Sequence, residues 1–233
     1  MLPFVGTCAG LLAWNRHPAL VFVGDTFCYI AGQALACAGV LGHFSKTLLL
    51  FFLPQVFNFL LSCPQLFGFV PCPRHRVPTV HRETMSLYPS IAVFSPGKPP
   101  SKLGTFMLLI LEQLRLVILY RQSQVQPEDL QASTHGSHIV GTTNLTLLNT
   151  LLVVSGVRTP LQEVRRQLDD AGARLKGEKI PKATSISERI SRPAGPHIDE
   201  PRLWRMTMGV QLLGSALAFA VRYWAAAVVF PQS

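Results

Sequence analysis

A short basic loop between prolines contains the side chains best suited to chemistry in this sequence. Arg74, His75 and Arg76 follow one another within residues 71–78, and prolines stand at positions 71, 73 and 78. Because proline removes backbone freedom, these side chains are held in place rather than being mobile. The planar arginine guanidinium matches phosphate oxygens. The loop therefore predicts a preformed anion site for phosphate at a membrane surface, or, as an alternative, simple positive charge at a helix end.

A carboxylate at the start of an apolar segment is the second candidate. Asp25 is the only charged residue between positions 21 and 42. Mg²⁺ typically binds one or two carboxylates together with substrate phosphates, which would neutralise phosphate charge during a transfer reaction. Helix capping and a salt bridge to the basic loop are the alternatives. Phe22, one turn earlier, could stack on a base or simply pack against neighbours.

The composition is that of a membrane protein. Apolar residues make up 48% of the 233 positions, charged residues only 14%, and the mean hydropathy is +0.31, whereas soluble domains carry about 25% charged residues. The net charge of +9 would suit anionic lipid or a phosphorylated substrate. Without zinc-finger spacing or an RNA-binding signature, we expect no nucleic acid partner. The five cysteines form no Cys-x-x-Cys pair and are interpreted as small apolar side chains.

Three apolar segments predict membrane spans, because a helix needs about 20 residues to cross a bilayer. They are residues 21–42, 47–70 and 206–230, and residues 1–14 are interpreted as the end of a longer helix. Pro54 and Pro64 predict a bent or broken second helix. Most basic residues lie between positions 71 and 205, so this long loop is predicted to be cytosolic, with Asp25 and the basic loop at the same membrane face.

The long loop contains further elements that are too polar or too short to span. Glu112 and Arg115, three residues apart, predict an ion pair on an amphipathic surface helix within residues 103–120. Residues 144–157 have the same interpretation, and the glycosylation sequon at Asn144 would be unused on the cytosolic side. The mixed charges of residues 158–201 predict a flexible block.

These elements predict a membrane all-α fold, a bundle of helices with a small cytosolic α/β or amphipathic insert. We divide it into four parts. They are 1–80, membrane helices and the basic active-face loop; 81–157, the cytosolic insert; 158–205, a flexible polar linker; and 206–233, the last membrane helix and tail.

Four motifs, in this order along the chain, resemble a known enzyme family. They are VFVGDTFCY at 21–29, LGHFSKT at 41–47, PQVFNF at 54–59 and PCPRHRVP at 71–78. The family is that of the polyprenyl-phosphate hexosamine-1-phosphate transferases, and the resemblance is to its eukaryotic UDP-N-acetylglucosamine:dolichyl-phosphate branch. The resemblance is close over residues 1–80, thins over 103–157 and returns at 212–223.

The resemblance implies a Mg²⁺-dependent reaction at the cytosolic face of the endoplasmic reticulum membrane. N-acetylglucosamine-1-phosphate would pass from UDP-N-acetylglucosamine to dolichyl phosphate with release of UMP, the first step of lipid-linked oligosaccharide synthesis for N-glycosylation. It implies that Asp25 is a catalytic metal ligand and that Phe22 contacts the uracil. It also implies that Arg74, His75 and Arg76 bind the diphosphate and the N-acetylglucosamine.

The family fold is a larger polytopic bundle in the lipid bilayer, of which this chain would be the C-terminal part, with about three full spans and a partial one. The paired aspartates, lysine and asparagines of the family's earlier cytosolic loops have no counterpart here. We therefore expect no turnover from this chain alone. The alternative is a truncated, non-catalytic membrane subunit or scaffold, and assembly as a homodimer stays open.

Overall fold

The computed structural model describes residues 1–81, 83–94, 100–125, 139–176 and 193–229. The chain divides into two compact units, one formed by Met1–Phe57 and Trp204–Ser233 and the other by Asn58–Leu203. The helices within the described residues are α1 (Leu2–Asn15), α2 (Asp25–Leu41), α3 (Ser45–Phe51), α4 (Leu53–Leu66), α5 (Lys102–Gln113), α6 (Gln122–Val125), α7 (Leu147–Val154), α8 (Leu161–Lys176) and α9 (Glu200–Val229). The strands are β1 (Thr79–Val80), β2 (Leu87–Tyr88), β3 (Ile91–Val93), β4 (Leu119–Arg121) and β5 (Ile139–Thr143). The described part of the chain is mostly helical, as predicted.

Helix α2 is shorter than the span predicted over residues 21–42. Among the described residues no single helix combines the length and the apolar composition that crossing a membrane requires. The pair α3 and α4 reaches both together, with a bend of 66° between the two helices. Helices α1 and α2 are apolar but have only 14 and 17 residues. The predicted number of spans therefore stays a prediction.

The predicted break in the second apolar segment is confirmed. Helix α3 ends at Phe51 and α4 begins at Leu53, directly before Pro54, which has no N–H to donate to a preceding turn. Gln211 of α9 donates its Nε2 to the Phe51 carbonyl oxygen at 3.3 Å. Gln55 donates its Nε2 to Gln211 Oε1 at 2.7 Å. A carbonyl at the break thus gains a side-chain partner in an otherwise apolar setting.

Small residues permit close contacts between elements of the first unit. A methyl group at Gly39 would lie 2.8 Å from Leu48 Cδ2, and Ser45 Oγ donates to the Gly39 carbonyl oxygen at 3.0 Å. A methyl group at Gly214 of α9 would lie 2.7 Å from Pro54 Cγ. At Gly39 the flexible end of the Leu48 side chain could move to accept a methyl group, whereas at Gly214 the rigid Pro54 ring would have to shift.

A small antiparallel sheet organises the second unit. Its strand order is β3-β5-β4, and a separate hairpin pairs β1 with β2. Thr142 of β5 is paired with Ala92 on one side and Leu119 on the other. One core cluster contains Leu61, Val70, Phe94, Leu108, Val117, Leu119 and Leu145. This unit combines a small sheet with helices, and the assignment of residues 81–157 to a cytosolic insert stays a prediction.

Residues 103–120 differ from the single amphipathic helix that we predicted. Helix α5 ends at Gln113 and the chain turns into β4, with Leu108 fully buried. The predicted pair of Glu112 with Arg115 is wrong. Arg115 lies past the helix end at a φ of 58°, and Glu112 Oε2 instead pairs with the Arg121 guanidinium of β4 at 2.9 Å. Sheet packing, which the helical spacing cannot reveal, decides the partner.

The prediction of a flexible block at residues 158–201 is wrong for its described parts. Residues 161–176 form helix α8, in which Val164 is fully buried against Ile91 and Tyr120, with Leu168 packed beside it. Apolar residues four positions apart form one helix face that the sheet covers. Residues 193–199 are also held by backbone hydrogen bonds to the rest of this unit, and residues 177–192 lie outside the described residues.

Candidate substrate-binding loop

The basic loop connects the end of α4 to β1 and presents its charged side chains. Arg74 and His75 are exposed and Arg76 is half-buried. Within the described residues none of these three side chains forms an ion pair or a hydrogen bond. Unpaired cationic groups retain their full capacity to donate to an anion. Their position agrees with the predicted anion site, whose ligand stays a prediction.

The C-terminal end of the basic loop is held by a buried amide. Asn149 of α7 is fully buried and donates its Nδ2 to the Arg76 carbonyl oxygen at 2.8 Å and to Thr146 Oγ1 at 2.8 Å. Its Oδ1 accepts from the Ser90 backbone N–H at 3.0 Å. Both donors and the acceptor of this amide are therefore in use.

A second buried amide holds the other end of the loop. Gln65, in the last turn of α4, is only 2% exposed. Its Nε2 donates to the Pro71 carbonyl oxygen at 3.0 Å and to Asn144 Oδ1 at 2.9 Å, and its Oε1 accepts from the Leu145 N–H at 3.0 Å. The two loop carbonyls that receive these side-chain bonds thus flank the three basic residues.

The two amides belong to one polar network. Asn144 donates its Nδ2 to Ser90 Oγ at 3.0 Å, and the Ser90 backbone N–H donates to Asn149 Oδ1. We call Gln65, Asn144, Ser90 and Asn149 the amide network; all four residues are buried. Because an unpaired buried amide is costly, each member depends on the others. The sequence did not predict this hydrogen-bond network. Asn144 was considered only as part of a sequon, although amides within apolar stretches were a visible signal.

Asp25 and Phe22 lie at the start of α2, in the first unit, whereas the basic loop lies in the second. Asp25 is the first helical residue, Gly24 is the N-cap, and the helix start has no side-chain capping bond. Within the described residues the exposed Asp25 carboxylate makes no hydrogen bond or ion pair. Phe22 is 91% exposed. Capping through a hydrogen bond and packing of Phe22 therefore do not explain these two residues.

Comparison with known proteins supports the family resemblance. The family described as Glycosyl transferase family 4 matches residues 1–43. The UDP-N-acetylglucosamine--dolichyl-phosphate N-acetylglucosaminephosphotransferase of Saccharomyces cerevisiae is 44% identical over 163 residues, which are 70% of this chain and 33% of that protein. The protein of the same name from Schizosaccharomyces pombe is 46% identical over 165 residues, 70% of this chain and 34% of that protein. Over this length the chain is a homologue of these transferases.

The homology to the N-acetylglucosaminephosphotransferases extends beyond fungi. The protein of that name from Dictyostelium discoideum is 58% identical over 84 residues, covering 36% of this chain and 21% of that protein. The chain spans about a third of the length of the two fungal transferases that it matches. Their names state a UDP-N-acetylglucosamine donor and a dolichyl-phosphate acceptor.

The resemblance to the transferase family implies a bound Mg²⁺, which needs oxygen ligands. The described residues contain no group of three His, Cys, Asp or Glu side chains that could hold a metal ion. Asp25 nevertheless offers a free, exposed carboxylate. Mg²⁺ prefers oxygen ligands, retains several waters and is usually shared with substrate phosphates. Asp25 therefore fits one protein ligand of a Mg²⁺ shared with a diphosphate, but not an all-protein cage.

Two buried tyrosines of the second unit are poor candidates for acid–base chemistry. Burial, and then the negative charge of Glu163, raises the pKa of Tyr88 from 10.0 to about 12. Burial also raises the pKa of Tyr120. Both phenols stay protonated at neutral pH, so the second unit's candidate chemistry rests on the basic loop.

Proposed function

We propose that this chain provides part of a membrane-bound N-acetylglucosamine-1-phosphate transferase. The reaction would take N-acetylglucosamine-1-phosphate from UDP-N-acetylglucosamine to dolichyl phosphate, as in the first step of lipid-linked oligosaccharide synthesis for N-glycosylation. The observation that carries the proposal is the basic loop, whose backbone is bound by buried amides while its basic side chains have no partner among the residues that the structure describes. The homology to transferases with this donor and acceptor in their names supports it.

The proposed reaction is a displacement at phosphorus. An oxygen of dolichyl phosphate attacks the sugar-bearing phosphorus of the nucleotide, the bond to the bridging oxygen breaks, and UMP leaves with the bonding electrons. The protein's contribution to such a step is mainly positioning and neutralisation of charge. Arg74, His75 and Arg76 would bind the diphosphate and the sugar, and Phe22 would lie against the uracil. Mg²⁺, bound by Asp25 and phosphate oxygens, would supply further charge neutralisation.

The proposed location is the endoplasmic reticulum membrane, with the basic loop on the cytosolic face. Large apolar side chains of the first unit are exposed, among them Tyr29 at 77%, Leu213 at 72% and Trp224 at 70%. Exposed apolar surface of this extent is typical of contact with lipid or with other helices. A lipid bilayer would also contain the dolichyl acceptor.

A binding experiment with the whole chain in detergent micelles tests this function. UDP-N-acetylglucosamine is titrated in the presence and absence of Mg²⁺, and UMP release is followed after dolichyl phosphate is added. We expect saturable, Mg²⁺-assisted binding that a double Arg74→Ala, Arg76→Ala variant loses. Absence of saturable binding at millimolar nucleotide would contradict the function. We expect no UMP release, because the described residues offer only a partial metal site; steady release would refute that expectation.

A further inference from the structure

Among the described residues, the hydrogen bonds that join the amide network to the basic loop go to backbone carbonyl oxygens of the loop. Gln65 donates to the carbonyl oxygen of Pro71, and Asn149 donates to that of Arg76. We propose that Gln65 and Asn149 are positioning residues that keep the basic loop in one conformation. The inference rests on the proposed function only for the identity of the ligand that the loop binds.

Each position requires a side chain with both donors and an acceptor. Gln65 donates twice and accepts once, and Asn149 donates twice and accepts from Ser90. Among side chains of this size only a carboxamide offers that combination. A carboxylate of the same shape would keep the accepted bond but place an acceptor oxygen against the loop carbonyl. The residue types are therefore determined by the loop contact as well as by the core.

The network also joins segments that are far apart in the chain, as a positioning role needs. Gln65 and Asn144 are 79 positions apart in the chain, so their 2.9 Å bond joins the end of α4 to the segment after β5. Asn149 then anchors the loop to α7, which follows that segment. A loop that is ordered before its ligand arrives loses less conformational freedom on binding. Loosening either end should therefore weaken anion binding even when both arginines remain.

Backbone ¹⁵N order parameters of residues 74–77, measured on the whole chain in micelles, test the inference. In the unaltered chain we expect values near the rigid limit of about 0.85. Asn149→Asp and Gln65→Glu should lower them to below about 0.6. The matched control is Ser62→Ala, which removes a 2.7 Å bond from Ser62 Oγ to the Leu145 carbonyl oxygen in the same unit. It should lower the thermal midpoint and leave the loop ordered.

Binding of UDP-N-acetylglucosamine is measured on the same samples. We expect Kd to rise about tenfold in the two amide variants and by less than about twofold in Ser62→Ala, since one lost polar contact corresponds to roughly that factor. Order parameters below about 0.6 for residues 74–77 in the unaltered chain overturn the inference. This result does not depend on whether a variant folds. Unchanged order in both amide variants also overturns it. Ordered loops that loosen as expected in a chain that binds no nucleotide would support the positioning role and refute the proposed substrate.

Discussion

Replacing Arg74 and Arg76 one at a time should weaken nucleotide binding unequally. Arg76 is half-buried and its carbonyl oxygen is bound by the fully buried Asn149 at 2.8 Å, whereas Arg74 is exposed. A charged group on a fixed, partly desolvated backbone forms stronger bonds to phosphate than one that is fully hydrated. Arg76→Ala should therefore be the more damaging substitution.

The magnitude follows from the environments of the two arginines. A hydrogen bond to a charged group is worth about 1.5–3 kcal/mol, so Arg76→Ala should raise Kd for UDP-N-acetylglucosamine by roughly 10- to 150-fold. Because solvent-exposed ion pairs contribute little, Arg74→Ala should raise the same Kd by less than about fivefold. Arg76→Lys keeps the charge but loses the planar fork, and should fall between these two values.

Isothermal titration with UDP-N-acetylglucosamine and a parallel titration with a short-chain dolichyl phosphate analogue measure these effects. The loss for Arg76→Ala should be larger for the nucleotide than for the lipid phosphate. Equal losses for the two ligands, together with a lower thermal midpoint, would indicate misfolding instead of a lost contact. A loss for Arg74→Ala as large as that for Arg76→Ala would refute the argument from burial.

Three further predictions concern stability and the metal. Because burial raises the pKa of Tyr88 from 10.0 to about 12 in the folded protein, the contribution of this phenol to stability should be constant below pH 10 and should fall as the pH rises to 12, by about 1–2 kcal/mol once solvent screening is allowed for; Tyr88→Phe should remove that component in denaturant titrations at pH 9 and pH 12. Gly195 has a φ of 110°, and a methyl group there would lie 2.3 Å from the Gly156 carbonyl oxygen. Gly195→Ala should thus cost more than about 1–2 kcal/mol in thermal unfolding, whereas Gly172→Ala, with open space around it in α8, should be neutral or stabilising. Asp25→Asn should abolish the Mg²⁺ dependence of nucleotide binding with little change in unfolding, and an unchanged Mg²⁺ titration would exclude a ligand role.

Features with a local physical cause could be predicted from the sequence. The missing N–H of Pro54 broke the second apolar segment where expected. The basic loop was likewise visible from its prolines and arginines. In each case the cause lies within a few residues of its effect.

Features that depend on chain topology could not be predicted in this way. The partner of Glu112 is Arg121 rather than Arg115, because the helix ends and a strand returns beside it. The composition of residues 158–201 favoured flexibility, yet Val164 of α8 is buried against a sheet that the sequence alone does not assemble. The amide network could not be predicted for the same reason, since the sequence around Gln65 gives no sign of its hydrogen-bond partner 79 positions away.

The type of side chain that holds the loop has a physical consequence for its charge. Carboxylates could hold an arginine-rich loop only by accepting from its N–H groups, and they would pair with the guanidinium groups and cancel much of their field. Gln65 and Asn149 are neutral, and their bonds go to backbone carbonyl oxygens. Within the described residues Arg74 and Arg76 consequently have no carboxylate partner. Neutral groups at both ends hold the loop without offsetting its positive charge, which suits the diphosphate binding that we propose.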